Sequence, residues 1–593
     1  MKVSDYIVDF LSRQGIKHAF VITGGAAAHL IDSIARNPEM DYICTQHEQA
    51  AAMAADAYSR VTGNLGVAVA TSGPGATNLL TGIGCAYCDS IPVIYITGQV
   101  VTHRLRSGTG VRQLGFQEAP TVEIYKPTTK YAVLIDDLKR IRYEMEKATY
   151  LAKFGRPGPV LIDIPDNLQR EQVNPHELES FVPEESNDPK LDEQVDQFIQ
   201  LLERARRPVV ILGWGIRLAQ AEKEAREFIN KLRLPVLLTW ATMDMLPSSD
   251  PLVVGSFGQH GTRYGNFTVQ NADLVLAIGS RLDTHLTGAS ITSFAREAKK
   301  IIADIDLSEL NKYKLLGMDA DLLINADAKG LLRVMNSKVD EMVKPDILEW
   351  KREIETWKAK YPICLPEYYQ QEEVNPYVFV KALARESPQG STFLADTGCG
   401  LVWLMQAFEF KQNQRLFSAF NNTPMGYSLP ASIGACFALG KKPVICITGD
   451  GGLQVNIQEM ATIIRHDLPV KIFLINNRGY SMVRQTQEQW FGSRYEASTV
   501  ESGLPAVNFV KVAEAYGFKA LTITTNRELG QRIRKVLDSE GPVFCDVKIN
   551  PNHRVIPQVR FGRPIEDGEP FLDRDELLSN MIVKPMEIGE KLA

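Results

Sequence analysis

A glycine-flanked aspartate and a pair of asparagines each follow an apolar run that is typical of a buried strand. The run Pro443–Ile447 precedes Thr448-Gly449-Asp450-Gly451-Gly452, and a second run, Val470–Ile475, ends in Asn476-Asn477. Neighbouring parallel strands end at one edge of a sheet, which is where open α/β sheets bind ligands. Carboxylate and amide oxygens are ligands for Mg²⁺, and glycines let a phosphate approach the backbone. The two segments therefore predict a site for Mg²⁺ that carries a diphosphate.

The spacing of the two segments is more informative than either one alone. Gly449-Asp450-Gly451 by itself is also a common turn between a strand and a helix, with nothing bound. The 24 residues 452–475 separate Gly451 from Asn476, and we expect one helix there, from about Leu453 to His466. This spacing resembles the GDG…NN signature of thiamine-diphosphate enzymes.

Length and composition are those of an ordinary multidomain globular protein. The chain has 593 residues, of which 45% are hydrophobic and 23% charged. A net charge of −6 without a basic block argues against nucleic acid or a membrane surface as a partner. No signal peptide or transmembrane run is recognisable, and eight scattered cysteines suit a reducing compartment. We therefore expect a cytoplasmic protein that acts on small molecules.

Alternating strands and helices divide the chain into three blocks. Such alternation predicts an α/β protein with three doubly wound parallel-sheet domains. The polar stretch 182–192 predicts a linker, and the charged segment 337–373 predicts a surface connector. The expected domains are 1–182, 193–336 and 374–550, followed by a tail at 551–593.

Two groupings in the first block look like metal or redox sites but lack the partners that such sites need. Cys85-Ala-Tyr-Cys88 is a lone CxxC inside an apolar helical pattern, so we interpret both cysteines as core residues. His47-Glu48 is not a zinc HExxH motif, because position 51 is alanine. Glu48 is then either a residue that stabilises the helix dipole or an active-site acid. The glycine-rich turn from Thr71 to Asn78 is either a helix entry or a ligand-binding loop.

Seven short motifs follow one another in the first block: Gly24-Gly25-Ala26, His47-Glu48-Gln49, Thr71–Asn78, Asp89-Ser-Ile-Pro92, Ile96-Thr-Gly-Gln99, Phe116-Gln117-Glu118 and Gly155–Pro165. In this order they resemble acetohydroxyacid (acetolactate) synthases, and the resemblance extends to about residue 550. It implies that Glu48 is the glutamate that activates the cofactor through its aminopyrimidine ring. It also implies that Gly25, Phe116 and Gln117 belong to the catalytic site, with Phe116 and Gln117 lining the pocket of the donor substrate.

The resemblance implies a thiamine-diphosphate site that is shared between the first block, as pyrimidine-binding domain, and the third, as diphosphate-binding domain. Met425 would be the apolar side chain that bends the cofactor, and the carbonyl of Thr423 would accept a hydrogen bond from its amino group. Mg²⁺ would bind Asp450, Asn477 and the main-chain oxygen of Gly479. The remaining implied contacts with this cofactor are Thr71, Gly75, Asn78, Thr397, Gly398, Gly449, Gly451 and Gly452.

The middle block resembles the FAD-carrying domain of the same synthases. The alternative is an empty Rossmann-like spacer, as in many thiamine enzymes. An NAD enzyme is disfavoured, because Gly213-Trp-Gly215 is not followed by a third glycine at position 218, which is leucine. The implied FAD contacts are Gly213, Gly215, His260, Gly261, Arg281, Asp304 and Asp306.

The sequence departs from the synthases on the acceptor side of the expected site. Where the family has Met-Val-x-Gln-Trp, this chain has Met482-Val-Arg484-Gln485-Thr486. Thr486 would open the space that the family's tryptophan fills, and Arg484 would add a cation for a phosphate or carboxylate. Cys399-Gly400 also replaces the family's Gln-His. The tail from Arg554 to Arg574 resembles carboligases of branched-sugar and polysaccharide pathways.

We therefore predict a carboligase that uses thiamine diphosphate, Mg²⁺ and FAD. It would decarboxylate a 2-keto acid, pyruvate above all, and transfer the acetyl unit to a carbonyl acceptor such as a nucleotide-linked ketosugar. The alternatives are a second pyruvate as acceptor, simple decarboxylation, and a non-catalytic binding or regulatory relative. The last is disfavoured because Glu48, Asp450 and Asn477 are all retained. The resemblance implies a homodimer or homotetramer in which Glu48 and the Asp450 motif of each active site come from different chains. The sequence gives no information on a regulatory subunit.

Overall fold

The computed structural model describes residues 1–183 and 191–586. Most of the predicted linker at 182–192, namely 184–190, and the end of the predicted tail, 587–593, lie outside the described residues. Three six-stranded sheets follow one another along the chain, and all their strands are parallel. The predicted α/β class with three doubly wound sheets is confirmed.

The first domain holds a sheet whose central strands are buried on both faces, as expected when helices cover a parallel sheet. Its strands are β1 His18–Val21, β2 Asp41–Cys44, β3 Gly66–Ala70, β4 Val93–Gln99, β5 Tyr131–Leu134 and β6 Val160–Pro165. Its helices are α1 Val3–Arg13, α2 Ala28–Arg36, α3 Glu48–Thr62, α4 Pro74–Asn78, α5 Leu80–Asp89, α6 Thr121–Tyr125, α7 Ile141–Lys153 and α8 Asp166–Gln169. The strand order is β2-β1-β3-β4-β6-β5.

The central domain is built in the same way around a second sheet. Its strands are β7 Pro208–Leu212, β8 Val236–Leu238, β9 Val253–Gly255, β10 Leu274–Ile278, β11 Lys299–Asp304 and β12 Leu322–Asn325. Its helices are α9 Asp192–Glu203, α10 Gly215–Leu218, α11 Glu222–Leu232, α12 Arg263–Asn271, α13 Thr284–Thr287, α14 Leu307–Leu315 and α15 Ala328–Lys338, and the connector adds α16 Leu348–Lys360. The strand order is β12-β11-β10-β7-β8-β9.

The third domain carries the last large sheet and the tail. Its strands are β13 Thr392–Ala395, β14 Arg415–Phe417, β15 Val444–Gly449, β16 Val470–Asn476, β17 Lys519–Ile523 and β18 Val543–Lys548, in the order β14-β13-β15-β16-β18-β17. Its helices are α17 Pro376–Glu386, α18 Cys399–Ala407, α19 Ser428–Ala438, α20 Asp450–Val455, α21 Glu459–Arg465, α22 Ser481–Phe491, α23 Phe509–Tyr516 and α24 Leu529–Asp538. The tail adds the short antiparallel pair β19 Gln558–Val559 and β20 Gly568–Glu569, and α25 Arg574–Ser579.

The prediction of one helix from Leu453 to His466 is wrong. The structure has two helices there, α20 and α21, and the first begins at Asp450. Between them, Asn456 donates a hydrogen bond of 2.7 Å to the carbonyl of Gly426. Asn456 itself has a φ of −128° and a ψ of 27°, so the backbone leaves helical geometry at this residue, and the bond from its side-chain amide holds it there.

The first and third sheets share one topology. With strands numbered within each domain, both have the order 2-1-3-4-6-5. Helices α3 and α19 follow the second strand of their domains and pack against each other. A Cβ on Gly434 of α19 would lie 2.0 Å from the carbonyl oxygen of Ala54, so only glycine allows this approach.

Buried ion pairs and hydrogen bonds at this helix pair join all three domains. Arg60 pairs with Asp56 and with Asp89, each at 2.7 Å, and all three side chains are almost completely buried. The backbone N–H of Phe420 in the third domain donates to the Asp89 carboxylate at 2.9 Å. The indole N–H of Trp214 in the central domain donates to the Asp89 carbonyl at 3.0 Å. Buried charges that are paired in this way fix the relative positions of the domains.

The apolar cores do not follow the domain boundaries. One cluster of buried side chains joins α3 and α5 of the first domain to α19, β15 and β16 of the third. A larger one joins the central sheet to α17 and α18. A third lies within the first domain, around α1 and α7. In the described part of the chain, no helix is long and apolar enough to span a membrane.

Candidate active site

Each sheet has a switch point near its centre, where the connections leave in opposite directions: between β1 and β3, between β7 and β10, and between β13 and β15. Ligands of open α/β sheets bind beyond the carboxyl ends of the strands at such points. The polar and glycine-rich segments of the sequence follow these very strands. They are Gly24-Gly25 and Thr71–Asn78 in the first domain, Gly213–Gly215 and Gly279–Arg281 in the second, and Asp396–Gly398 and Gly449–Gly452 in the third.

Glu48 is the first residue of α3 and lies in a crevice of the first domain. Its side chain accepts a hydrogen bond of 2.9 Å from Asn78 through Oε2. A Cβ on Gly75 would lie 3.3 Å from Glu48 Oε1 and 2.7 Å from Cγ2 of Thr71, so this glycine keeps the crevice open. The residue is 8% exposed. One hydrogen bond leaves its carboxylate with lone pairs that are free for a ligand.

The loop that carries Phe116 and Gln117 lies against the same crevice. Gln117 has a φ of 62°, and its carbonyl oxygen would lie 2.8 Å from a Cβ on Gly73. Glu118 accepts hydrogen bonds of 2.6 and 2.8 Å from backbone N–H groups of the preceding loop. Phe116 is 84% exposed, and no atom lies within 4 Å of a Cβ placed on Gly25. The structure thus brings the predicted donor-pocket residues to the Glu48 side of the first sheet.

Asp450 is a buried carboxylate whose partners are backbone N–H groups. Oδ1 accepts from Gly451 at 2.8 Å and Oδ2 from Gly479 at 3.0 Å. Burial raises the pKa of Asp450 to about 6. Among the described residues, no Lys, Arg or His side chain lies within ion-pair distance of it. Such a site suits a metal cation, which would supply the missing positive charge.

Asn477 follows β16, the strand that pairs with β15 ahead of Asp450. It is 7% exposed, and its side chain makes no hydrogen bond with another described residue, so its amide oxygen is available to a ligand. The neighbouring Asn476, by contrast, donates to Asp546 at 3.0 Å and has a structural role. Gly479, predicted to bind Mg²⁺ through its main-chain oxygen, uses its N–H to hold the Asp450 carboxylate.

Met425 lies over the glycine turn that follows β15. A Cβ on Gly451 would lie 2.8 Å from Cε of Met425 and 2.2 Å from the ring of Tyr480. Gly449, in contrast, has no atom within 4 Å of a Cβ position. Thr423 adopts a φ of 39° in the loop before Met425. The apolar side chain and the glycine turn are therefore neighbours, as the predicted cofactor site requires.

Asp396 is a site residue that the sequence analysis did not assign. Its buried carboxylate accepts hydrogen bonds from the N–H of Gly426 at 3.0 Å and from the hydroxyl of Thr448 at 3.0 Å. Burial raises the pKa of Asp396 to about 6. A Cβ on Gly452 would lie 2.4 Å from Asp396 Oδ2. One side chain thus joins the ends of β13 and β15 to the loop of Met425.

A cavity of about 860 Å³ opens at the switch point of the central sheet. This volume is in the range of sites for cofactors and other small molecules. Four of the seven residues predicted for FAD line it: Gly215, His260, Arg281 and Asp304. The cavity also reaches into the third domain, where Thr397, Gly398, Thr423 and Met482 line it.

The other three residues predicted for FAD have packing roles. A Cβ on Gly213 would lie 2.2 Å from the carbonyl oxygen of Gly279, and one on Gly261 would lie 2.4 Å from the backbone of Phe257. Asp306 caps the N-terminus of α14 and pairs with Arg156 at 3.1 Å. These residues shape the cavity without lining it.

Two histidines and a tryptophan form a polar patch in the cavity wall. His260 Nδ1 lies 2.9 Å from His285 Nε2. Burial lowers the pKa of His260 to about 3 and that of His285 to about 4, so both rings are neutral at pH 7. The ring of Trp240 lies 4.2 Å from that of His285, and its buried indole N–H has no hydrogen-bond partner among the described residues. This N–H is shielded from the cavity as well as from bulk solvent, so the patch presents the two neutral histidine rings and the Trp240 ring to a ligand, and not this donor.

Helix α22 separates the four residues that were predicted for the acceptor. Met482 lines the cavity, and Thr486 lies one turn further along the same face. Arg484 points elsewhere: it donates to the carbonyl of Pro551 at 2.6 Å. Gln485 accepts from the N–H of Val555 at 2.9 Å. Residues two positions apart on a helix point in different directions, so Arg484 cannot share the face of Met482.

Comparison with protein families assigns all three domains. Residues 1–124 match the N-terminal TPP binding domain of thiamine pyrophosphate enzymes, residues 195–335 match the central domain of these enzymes, and residues 396–547 match their C-terminal TPP binding domain. The two TPP binding domains contain the Glu48 crevice and the Asp450 turn, respectively. The chain is therefore a thiamine-diphosphate-dependent enzyme.

Individual relatives narrow the family. The chain is 34% identical over 571 residues to an acetolactate synthase large subunit of Cyanidium caldarium, and the match covers 94% of both chains. It is 34% identical to the corresponding subunit of Pyropia yezoensis, with 94% and 93% covered. It is also 34% identical to the chloroplastic acetolactate synthase 2 of Nicotiana tabacum, with 95% of this chain and 85% of that one covered. Similarity at this level, over nearly the whole length and all three domains, shows that the chain belongs to the acetolactate synthase family of thiamine-diphosphate-dependent carboligases.

Proposed function

We propose that this enzyme decarboxylates pyruvate and transfers the resulting acetyl unit to a second carbonyl compound. The observation that carries the proposal is a pair of buried polar sites, one at the edge of the first sheet and one at the edge of the third, which share one strand order. Glu48 and Asn78 form the first site, and Asp450 and Asn477 form the second. When bound, thiamine diphosphate supplies a carbon nucleophile and accepts the electrons released by decarboxylation. Glu48 would hold and exchange a proton at the aminopyrimidine ring, and Asn78 would orient its carboxylate.

Mg²⁺ would join the diphosphate to the third domain. The buried carboxylate of Asp450 and the unpartnered amide of Asn477 are hard oxygen donors at the ends of adjacent strands, which is a suitable donor set for this ion. The N–H of Gly479 would keep the Asp450 carboxylate in position. Met425 would pack against the cofactor with an apolar and adaptable side chain.

FAD would occupy the central cavity. The size of the cavity and its position at the switch point support a bound small molecule. Arg281 and Asp304 would contact its polar groups. The neutral pair of His260 and His285 would contribute one further donor and one further acceptor to the ligand.

Two copies of the chain would complete each active site. Among the described residues, no hydrogen bond or ion pair joins Glu48 to Asp450, Asn477 or Met425 of the same chain. Large apolar side chains are exposed beside the Glu48 crevice: Phe116 at 84% and Leu80, two residues after Asn78, at 42%. Exposed apolar surface next to half a site supports a homodimer in which the first domain faces the third domain of the partner.

Specific observations support two different acceptors. A second pyruvate, which gives acetolactate, is supported by the names of relatives that are 34% identical over nearly the whole chain. A larger carbonyl compound such as a nucleotide-linked ketosugar is supported by Thr486, which leaves more room than a tryptophan beside Met482. The open connection between this region and the central cavity is in keeping with the larger acceptor.

Labelled pyruvate tests the proposal directly. The purified enzyme, loaded with thiamine diphosphate, Mg²⁺ and FAD, is incubated with pyruvate labelled at C2, with and without a nucleotide-linked 4-ketosugar. Label in acetolactate, in a branched sugar or in acetaldehyde identifies ligation to pyruvate, ligation to the sugar or simple decarboxylation. The absence of both CO₂ release and cofactor binding would reject the proposed function.

A further inference from the structure

The tail is fastened to α22 by three consecutive contacts on one side of the helix. Arg484, Gln485 and Glu488 bind Pro551, Arg554 and Val555, and we call these six residues the tail clamp. The helix residues of the clamp are distinct from Met482 and Thr486, which lie on the face towards the cavity. Arg484 and Glu488 lie on the opposite side of α22, and Gln485 lies between the two sides, three residues from Met482.

Arg484 forms the first contact of the tail clamp. It is only 7% exposed, and its guanidinium donates to the carbonyl of Pro551 at 2.6 Å and lies 4.9 Å from the centre of the Tyr495 ring. A buried cation without such partners would be costly. The position of the Pro551 carbonyl is therefore coupled to that of α22.

Gln485 forms the second contact of the tail clamp and also bonds to Cys399, next to the residues that line the cavity. Its Oε1 accepts from the N–H of Val555 at 2.9 Å, and its Nε2 donates to the Val555 carbonyl at 3.4 Å. The thiol of Cys399 donates to the same Oε1 at 3.5 Å. Cys399 directly follows Gly398, which lines the cavity. One amide thus connects the tail, α22 and the start of α18.

Glu488 forms the third contact, an ion pair with Arg554. Its Oε2 accepts from Arg554 Nε at 2.8 Å, and its Oε1 accepts from the hydroxyl of Tyr495 at 2.7 Å. Both charges are largely shielded, with side-chain exposures of 25% and 20%. A two-pronged guanidinium–carboxylate pair fixes direction as well as distance.

Beyond the clamp, the tail continues to the wall of the central cavity. The amide of Gln406 donates to the carbonyl of Pro557 at 2.7 Å and to that of His260 at 3.1 Å. The N–H of Val559 donates to the carbonyl of Gln259 at 2.8 Å. Residues 551–559 of the tail therefore connect α22 to the central domain, with contacts at each end of this stretch.

We propose that the tail clamp positions α22 and thereby sets the shape of the acceptor side of the active site, so that Arg484, Gln485, Glu488 and Arg554 are positioning residues for acceptor specificity. This inference rests on the proposed ligation activity. Loss of the clamp would let Met482 and Thr486 shift, whereas Glu48 keeps its bond to Asn78 and Asp450 keeps its bond to Gly451, because neither bond involves α22 or the tail. Capture of the acceptor would then suffer, and consumption of pyruvate would not.

Arg554→Gln tests the inference by removing the ion pair with Glu488. We expect the KM for the acceptor to rise by about tenfold, and more of the pyruvate to leave as acetaldehyde, while the KM for pyruvate changes less than about twofold. Arg554→Lys keeps the charge without the two-pronged geometry and should give an intermediate value. Glu488→Gln is the second variant, for use if Arg554→Gln does not fold.

Arg296→Gln is the matched control, because Arg296 pairs with Glu566 of the tail at 2.9 Å, away from α22. It should lower stability and leave the ratio of ligation to acetaldehyde unchanged. Hydrogen exchange of the amides in 481–491 provides a readout that does not need activity, and it should accelerate in Arg554→Gln alone. Equal effects of the two variants on exchange, or an unchanged ratio in Arg554→Gln, would overturn the inference. A wild-type enzyme that consumes no pyruvate would instead reject the proposed function, and the exchange data would still decide on the clamp.

Discussion

The backbone N–H of Gln46 donates a hydrogen bond of 2.8 Å to the buried carboxylate of Glu459. Gln46 lies in the loop that delivers Glu48, and Glu459 opens α21 in the third domain. The third domain thus fixes the loop that precedes Glu48 in the first domain of the same chain. Glu459 is fully buried, and its remaining oxygen accepts from the hydroxyl of Thr462 at 2.9 Å.

Glu459→Gln should stabilise the protein at alkaline pH. Burial raises the pKa of Glu459 from 4.5 to about 7. The folded state therefore binds more protons between these values, and stability falls as the pH rises from 4.5 to about 7. Glutamine keeps the acceptor for Gln46 and removes the charge, so the variant should exceed wild type by up to about 3 kcal/mol above pH 7 and by little at pH 4.5. Thermal unfolding at pH 5 and pH 8 checks this, with the exposed Glu514→Gln as control. A gain of equal size at both pH values would contradict the prediction.

Glu48→Gln should abolish most turnover and leave the cofactor bound. The amide retains the size of the carboxylate but cannot exchange a proton with the aminopyrimidine ring, so we expect kcat to fall by about 10²- to 10⁴-fold. Steady-state kinetics and cofactor titration by calorimetry check both parts. Glu123→Gln, at an exposed position of the same domain, should retain full activity. Turnover in Glu48→Gln close to that of wild type would show that the carboxylate has no catalytic role.

Asp450→Asn should weaken the binding of Mg²⁺. The substitution preserves shape and removes the one negative charge at the predicted metal site, so we expect the Kd for Mg²⁺ to rise at least about tenfold. Excess Mg²⁺ should restore part of the activity. Asp467→Asn, which lies exposed in the same domain, is the control. An unchanged dependence on Mg²⁺ would place the metal elsewhere.

Trp240→Phe should weaken flavin binding. Trp240 lines the cavity, and the smaller phenyl ring removes part of the surface that a flavin would contact there, so we expect the Kd for FAD to rise by about tenfold. The quenching of flavin fluorescence on binding measures it. Trp357→Phe is a matched control, because the buried indole N–H of Trp357 also lacks a partner but lies outside the cavity. The same loss of affinity in both variants would mean that Trp240 acts through stability alone.

Thr486→Trp should narrow the range of acceptors. A large ring beside Met482 would occupy space that a sugar needs, whereas pyruvate is small enough to remain. We therefore expect the ratio of acetolactate to branched sugar to rise at least about tenfold in competition. Product analysis by mass spectrometry checks it. Val483→Trp adds the same ring at an exposed position of α22 and should leave the ratio unchanged.

Sequence patterns predicted those site residues whose position depends on a single strand and the turn that follows it. Asp450 was recognisable because it directly follows a strand-and-loop signal, and a parallel sheet brings such ends to one edge. By its residues alone Glu48 was also consistent with a helix-dipole residue, and only the resemblance to acetolactate synthases gave it a catalytic role. Asp396 and Glu459 were missed because their partners are remote in sequence. Gly426 is 30 residues from Asp396, and Gln46 is 413 residues from Glu459.

The assignment of Arg484 to the acceptor shows a different limit. Helical periodicity alone separates position 484 from the face of positions 482 and 486. What the charge does instead depends on Pro551 and Tyr495, which only tertiary structure brings close. The break between α20 and α21 has the same origin, because Asn456 bonds to Gly426 in another loop.

Because the apolar cores cross the domain boundaries, the domains depend on one another during folding and unfolding. A ribosome-bound chain that has emerged only as far as β12 lacks α19, β15 and β16, the partners that bury α3. The alanine-rich face of α3 would remain exposed to solvent until more than half of the protein had been synthesised. We therefore expect the first domain to stay labile to proteases, and to need chaperone protection, until the third domain has formed. Heating the finished enzyme should then disrupt the first and third domains in a single event.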